Sequence, residues 1–219
     1  MKSELTMHRR KFLKSTSLAA VGISALNLLP LISEAYPTSD EDINLIRPLN
    51  GYSPHIGILV SMLNWNRASV IRTVQGLTQP ELDFLVDDKS NSIGALLLHL
   101  AATDVIYQDL TFYNQKDFSV ENEKKWKVPM ELGDAGRKKI KGNNLDYYLS
   151  ALSETREKTL SELKKRDDKW FAEIDPQFFG NKPTNNFCKW FHVCEHESNH
   201  RGQISVIKKR IPGNKSNVE

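Results

Sequence analysis

Residues 92 to 113 read SIGALLLHLAATDVIYQDLTFY, twenty-two positions with one histidine, two aspartates and one glutamine among small and apolar side chains. Such a stretch is too long for a strand and is apolar on much of its circumference, so it predicts a helix enclosed by other helices. Asn91 and Ser92 supply its start. His99 sits inside this run, on a stripe with Leu96, Ile106 and Leu110. Working outward, the chain should contain the helices that enclose it.

Upstream, Ser53-Pro54 gives a cap and a first-turn proline, and Ile56, Leu59, Val60, Leu63, Val70, Ile71, Val74 and Leu77 keep helical spacing with one turn skipped after Leu63. Thr78 and Glu81 form a capping-box pattern for a short turn through Leu85. Downstream, residues 114 to 143 are polar and broken by Pro129, Gly133, Gly136 and Gly142, and read as a long crossover. Asn144 caps a third long helix with Leu145, Tyr148, Leu149, Leu152, Leu160 and Leu163 on one face. After a connection containing Pro176, Gly180 and Pro183, Thr184 or Asn185 caps a fourth helix reaching about Arg210, and Ile211-Pro212-Gly213 stops it. No convincing strand pattern and no internal repeat accompany these four. The expected class is all-α: a four-helix bundle over residues 53–211, with the long crossover between helices two and three. Residues 36–52 form a lead-in and 212–219 a loose tail.

The first 35 residues read differently. HRRKFLK (8 to 14) is followed by the apolar run STSLAAVGISALNLLPLI (15 to 32) and then Ser33-Glu34-Ala35. Charged opening, apolar stretch and small residues are the order of a cleavable export signal, and the paired Arg9-Arg10 makes it similar to the twin-arginine type. Gly22 and Pro30 interrupt the run, so no stable membrane anchor is expected after cleavage, and the expected location is periplasmic or otherwise extracytoplasmic. This segment holds five of the 30 basic side chains and two of the 27 acidic ones, which leaves the rest balanced at 25 each. A nucleic-acid partner is therefore not expected. The two cysteines, Cys188 and Cys194, are about 240° apart on a helix and cannot bridge each other.

Helix four carries HVCEHESNHRGQI (192 to 204), with three histidines each four positions apart. On a wheel of about 100° per residue, His200 falls in the middle of the stripe made by Val193, Ile204, Ile207 and Ile211. His196 is just inside that stripe and His192 on its flank. His192 and His200 stand about 12 Å apart along the axis, too far to share one ion. The wheel therefore favours His196 with His200, and His99 is the other interior candidate, whereas His55 belongs to an exposed first turn. A single core-facing histidine is ordinarily a hydrogen-bonded structural residue, but three unpaired imidazoles meeting in one interior would be costly without a shared partner. His192 reads as a rim residue or one that supports the ligand rings from behind, and Gln203 as a neighbour able to hydrogen-bond a ligand ring. Neither Glu195 nor Asp104 lies where a general base would, and both read as surface or inter-helix residues.

The segments His196-x-x-x-His200-Arg201-Gly202-Gln203, SIGALLLHL (92 to 100) and LTQPELDF (77 to 84) resemble the DinB/YfiT superfamily, over roughly residues 50 to 211. The resemblance implies a four-helix bundle holding a divalent metal through one histidine of helix two and two of helix four, which are His99, His196 and His200 here. Three imidazoles leave a coordination position open and suit zinc best, with nickel or iron as alternatives. Superfamily relatives include thiol-dependent transferases and isomerases, proteins described only as metal-dependent hydrolases, and homodimers. Because low-molecular-weight thiols are cytoplasmic, the export signal makes a metal-dependent hydrolase of an unknown small molecule the leading expectation. A metal-dependent thiol S-transferase and a non-catalytic metal-binding stress or scaffold bundle are the alternatives.

Overall fold

A computed structural model describes residues 42–213. The export-signal reading of residues 1–35 and most of the predicted tail lie outside the described residues. Four long helices form the body: α1 (Pro54–Val74), α3 (Ile93–Phe112), α6 (Leu145–Leu163) and α8 (Asn186–Arg210). α1 packs on α8, α8 on α3, α3 on α6, and α6 on α1, which closes the ring of an all-α bundle. Every residue of α3 except Leu110 is buried, as its all-round apolar sequence requires. Among the described residues no helix is long and apolar enough to cross a membrane.

Local sequence sets the helix ends. Ser92, Asn144 and Asn185 each accept a hydrogen bond from the backbone three residues on, at the starts of α3, α6 and α8. Of the two predicted caps for the fourth helix, Asn185 is the one used. The short helix α2 (Gln79–Leu82) follows the Thr78–Glu81 capping box. α1 departs from expectation, because Ser53 does not cap it with its own side chain. The Ser53 hydroxyl instead donates to Asp168 Oδ1 at 2.6 Å, and that carboxylate also accepts from the backbone N–H groups of His55 and Ile56. A carboxylate borrowed from 112 or more positions away thus satisfies the first turn of α1. Asp168 opens α7 (Asp168–Ala172), and exposed His55 meets it through Nδ1 at 2.8 Å.

The crossover is more ordered than its composition suggests. It contains α4 (Val120–Glu131) and α5 (Gly133–Lys139), with α4 lying on α3. α4 buries only Trp126 and Pro129, so it has no apolar stripe for a periodicity argument to find. The connection after α7 also forms a two-residue antiparallel pair, β1 (Ile174–Asp175) with β2 (Thr184–Asn185), too short for an alternating pattern. Cys188 is exposed and Cys194 buried, both as free thiols.

Candidate metal centre

The bundle brings His99 of α3 together with His196 and His200 of α8. One nitrogen from each ring lies within 4.8 Å of the other two, and His99 Nε2 and His196 Nε2 are 3.0 Å apart. Ring centroids are separated by 5.1 Å for His99–His196, 4.8 Å for His99–His200 and 4.4 Å for His196–His200. The i, i+4 spacing on α8 places its two rings one turn apart, and α3 supplies the third from across the interface.

The partners of the far ring nitrogens decide what these rings present. His99 Nδ1 is 3.0 Å from the carbonyl of Pro129, an acceptor only, so Nδ1 carries the hydrogen and Nε2 the lone pair. That carbonyl lies in the last turn of α4, where backbone acceptors lack helical partners. His200 Nδ1 donates in the same way to Gln203 Oε1 at 3.1 Å, while the Gln203 amide nitrogen donates to Asn199 Oδ1. His200 therefore also turns a bare Nε2 inward. Orientation of ligand imidazoles by carbonyl oxygens behind them is the usual support of a metal site.

Electrostatics favour neutral rings. Burial lowers the pKa of His99. Burial and the imidazoles of His200, His99 and His192 push His196 down to about 3, and burial with His99 pushes His200 down to about 4. Two lone pairs cannot face each other at 3.0 Å unless one ring donates a proton or a cation lies between them. Donors held at ~2.1 Å around a tetrahedral ion are roughly 3.4 Å apart, so the three residues fit a divalent cation.

The remaining sequence candidates fall outside this cluster. His192 meets His196 ring to ring at 5.3 Å, but its Nδ1 pairs with the hydroxyl of Tyr107. Gln203 contacts His200 as anticipated. Arg201 lies over the Trp65 ring, and a side chain added at Gly202 would meet open space. Glu195 is exposed, whereas Asp104 is fully buried between helices.

Asp104 belongs to a network that sequence reading missed. Arg67 (α1), Asp104 (α3), Arg156 (α6) and Glu197 (α8) are all buried and tie together the four long helices. Arg67 donates to Glu197 and Asp104 at 2.5 and 3.2 Å, and Arg156 to the same pair at 2.7 and 3.1 Å. Each guanidinium also donates to a backbone carbonyl, that of Leu152 or Leu63. Burial alone would raise the Glu197 carboxyl, but the two guanidiniums outweigh it and hold its pKa below the ordinary value. The signal was present in the sequence. Arg67 occupies the skipped turn of helix one, Arg156 the gap between Leu152 and Leu160, and Glu197 lies near +60° on the wheel, inside the apolar stripe.

A closed ring of helices around three inward-facing imidazoles defines the chain as a DinB/YfiT-like bundle with a cluster compatible with a divalent metal. Residues 58–213 match the mycothiol S-transferase family, and the chain belongs to it. No curated protein matches the chain.

Proposed function

We propose that this protein is a metal-dependent thiol S-transferase whose ion is held by Nε2 of His99, His196 and His200. The observation that carries the reading is the pair of bare Nε2 atoms fixed by Pro129 and Gln203 beside His196, in a chain of the mycothiol S-transferase family. A divalent ion held there, zinc being the best match to three imidazoles, supplies a Lewis acid that keeps a thiol sulfur ionised near neutral pH. The protein's part is to keep the three rings neutral, to aim them, and to hold them on two helices locked by the Arg67–Asp104–Arg156–Glu197 network. Among the described residues no carboxylate is placed to act as a general base at the cluster, so the nucleophile is best supplied by the thiol itself.

The hydrolase reading keeps one specific support, the sequence pattern of residues 1–35, which resembles an export signal, since a protein exported by it would not meet a cytoplasmic thiol. The two readings separate in one experiment. Full-length metal-loaded protein is assayed with mycothiol and an electrophile panel, and in parallel with esters and amides without thiol. Thiol-dependent product that disappears in His196→Ala supports the transferase. Thiol-independent ester or amide cleavage that disappears in the same variant supports the hydrolase. Absence of both overturns an enzymatic role and leaves a metal-binding bundle.

A further inference from the structure

His192 stands one turn before His196, yet its chemistry is set the opposite way. Tyr107 of α3 is 5% exposed, and its hydroxyl lies 2.7 Å from His192 Nδ1, with the two rings stacked at 26°. That nitrogen is the only hydrogen-bond partner of the hydroxyl among the described residues. A buried hydroxyl whose one partner is a ring nitrogen would leave its own hydrogen unpaired if it only accepted, so the phenol donates to Nδ1. The hydrogen of the His192 ring is then on Nε2, which has no hydrogen-bond partner among the described residues. His99 and His200 present lone pairs, whereas their neighbour presents an N–H.

The surroundings raise the value of that donor. Phe179, carried by the loop between β1 and β2, packs on His192 at 5.3 Å, and Phe178 meets Tyr107 at 6.3 Å. His192, Phe178 and Phe179 are half-buried, and a fixed donor among aromatic rings interacts favourably with an oxygen that gains negative charge. This deepens the transferase reading and rests on it. We propose that His192, held in its Nε2–H form by Tyr107, binds the carbonyl oxygen of the electrophile, so that the preferred second substrates are α,β-unsaturated carbonyl compounds. The sulfur lone pair forms the new S–C bond at the β carbon, and the carbon–carbon π pair shifts to give an enolate. The His192 N–H stabilises the charge on the enolate oxygen. A solvent proton, equal to the one the thiol lost, then adds at the α carbon, so the reaction is a net addition with no leaving group. His192 is the catalytic donor and Tyr107 a positioning residue.

The test uses metal-loaded full-length protein, mycothiol, and two electrophiles: 2-cyclohexen-1-one, which develops charge on oxygen, and benzyl chloride, which expels chloride instead. His192→Ala is expected to lower kcat/KM for the enone, relative to that for benzyl chloride, by about 10²-fold, mostly in kcat. His192→Gln, which keeps an N–H donor, should recover roughly tenfold of that ratio, and Tyr107→Phe should lower it in the same direction. Metal stoichiometry and the KM for mycothiol should stay as in the parent. An unchanged ratio, a parent enzyme that accepts only the halide, or metal loss in His192→Ala overturns the proposal while leaving the transferase reading intact. A parent enzyme inactive on both electrophiles overturns the transferase reading itself.

Discussion

Arg67 Nε donates to Glu197 Oε1 across 2.5 Å, with neither side chain open to solvent, one position after His196 in the chain. Removing one charge of this network leaves the others buried without compensation. Glu197→Gln should therefore destabilise the bundle by about 3–5 kcal/mol, because two guanidiniums then share a single carboxylate. At this chain length that corresponds to a fall in Tm of roughly 10 °C, readable by thermal circular dichroism. A change below about 1 kcal/mol would mean that the network is not load-sharing among the helices.

Gly94 gives the SIGALLLHL segment a physical reason. A Cβ there would lie 2.6 Å from the ring and hydroxyl of Tyr148, which is fully buried on α6. Gly94→Ala should force α3 and α6 apart and cost about 1–3 kcal/mol, despite the better helix propensity of alanine. Gly94→Ala combined with Tyr148→Leu should regain part of that loss in a urea titration. Stabilisation by the single change would contradict the packing described here.

Helix order, the starts of the four long helices and the three converging histidines were legible because each rests on a local rule, either a cap or a spacing. What escaped were features made by distant parts of the chain. The cap of α1 comes from Asp168, the oxygen that aims His99 comes from Pro129, and the donor to His192 comes from Tyr107. α4 was hidden by its polar composition. The buried ionic network differs, since Arg67, Arg156 and Glu197 stand at apolar positions of their helices and could have been flagged by that conflict.

Acid should destabilise the metal-free protein through the histidine cluster. In the unfolded chain these rings titrate near ~6.5, but in the fold His200 is held down to about 4 and His196 to about 3. The unfolded state thus binds protons that the native state refuses. Stability is fully present above the unfolded value, falls as pH drops from there toward about 4 and then about 3, and loses nothing more from these rings below that. Urea midpoints should be lower at pH 5 than at pH 7, and the difference should shrink in His196→Leu/His200→Leu. An identical pH dependence in parent and double variant would contradict this.

Gln203 tests the role of a residue behind a ligand. Gln203→Ala removes the oxygen that fixes His200 Nδ1–H, so the ring can rotate or change tautomer. Metal affinity should fall by about 10–100-fold with little change in Tm of the metal-free protein. Competition titration against a chromogenic chelator reads this directly, and unchanged affinity would remove Gln203 from the site.

The central claim is that one cation joins α3 to α8 through three imidazoles. Its most direct test is cobalt(II) titration of metal-free full-length protein, followed by visible absorption. The account predicts saturation at one ion per chain with the intense d–d bands of a four- or five-coordinate site, and loss of those bands when His99, His196 or His200 is replaced singly by alanine. Absence of such bands in the parent, or their persistence in His99→Ala, would contradict it.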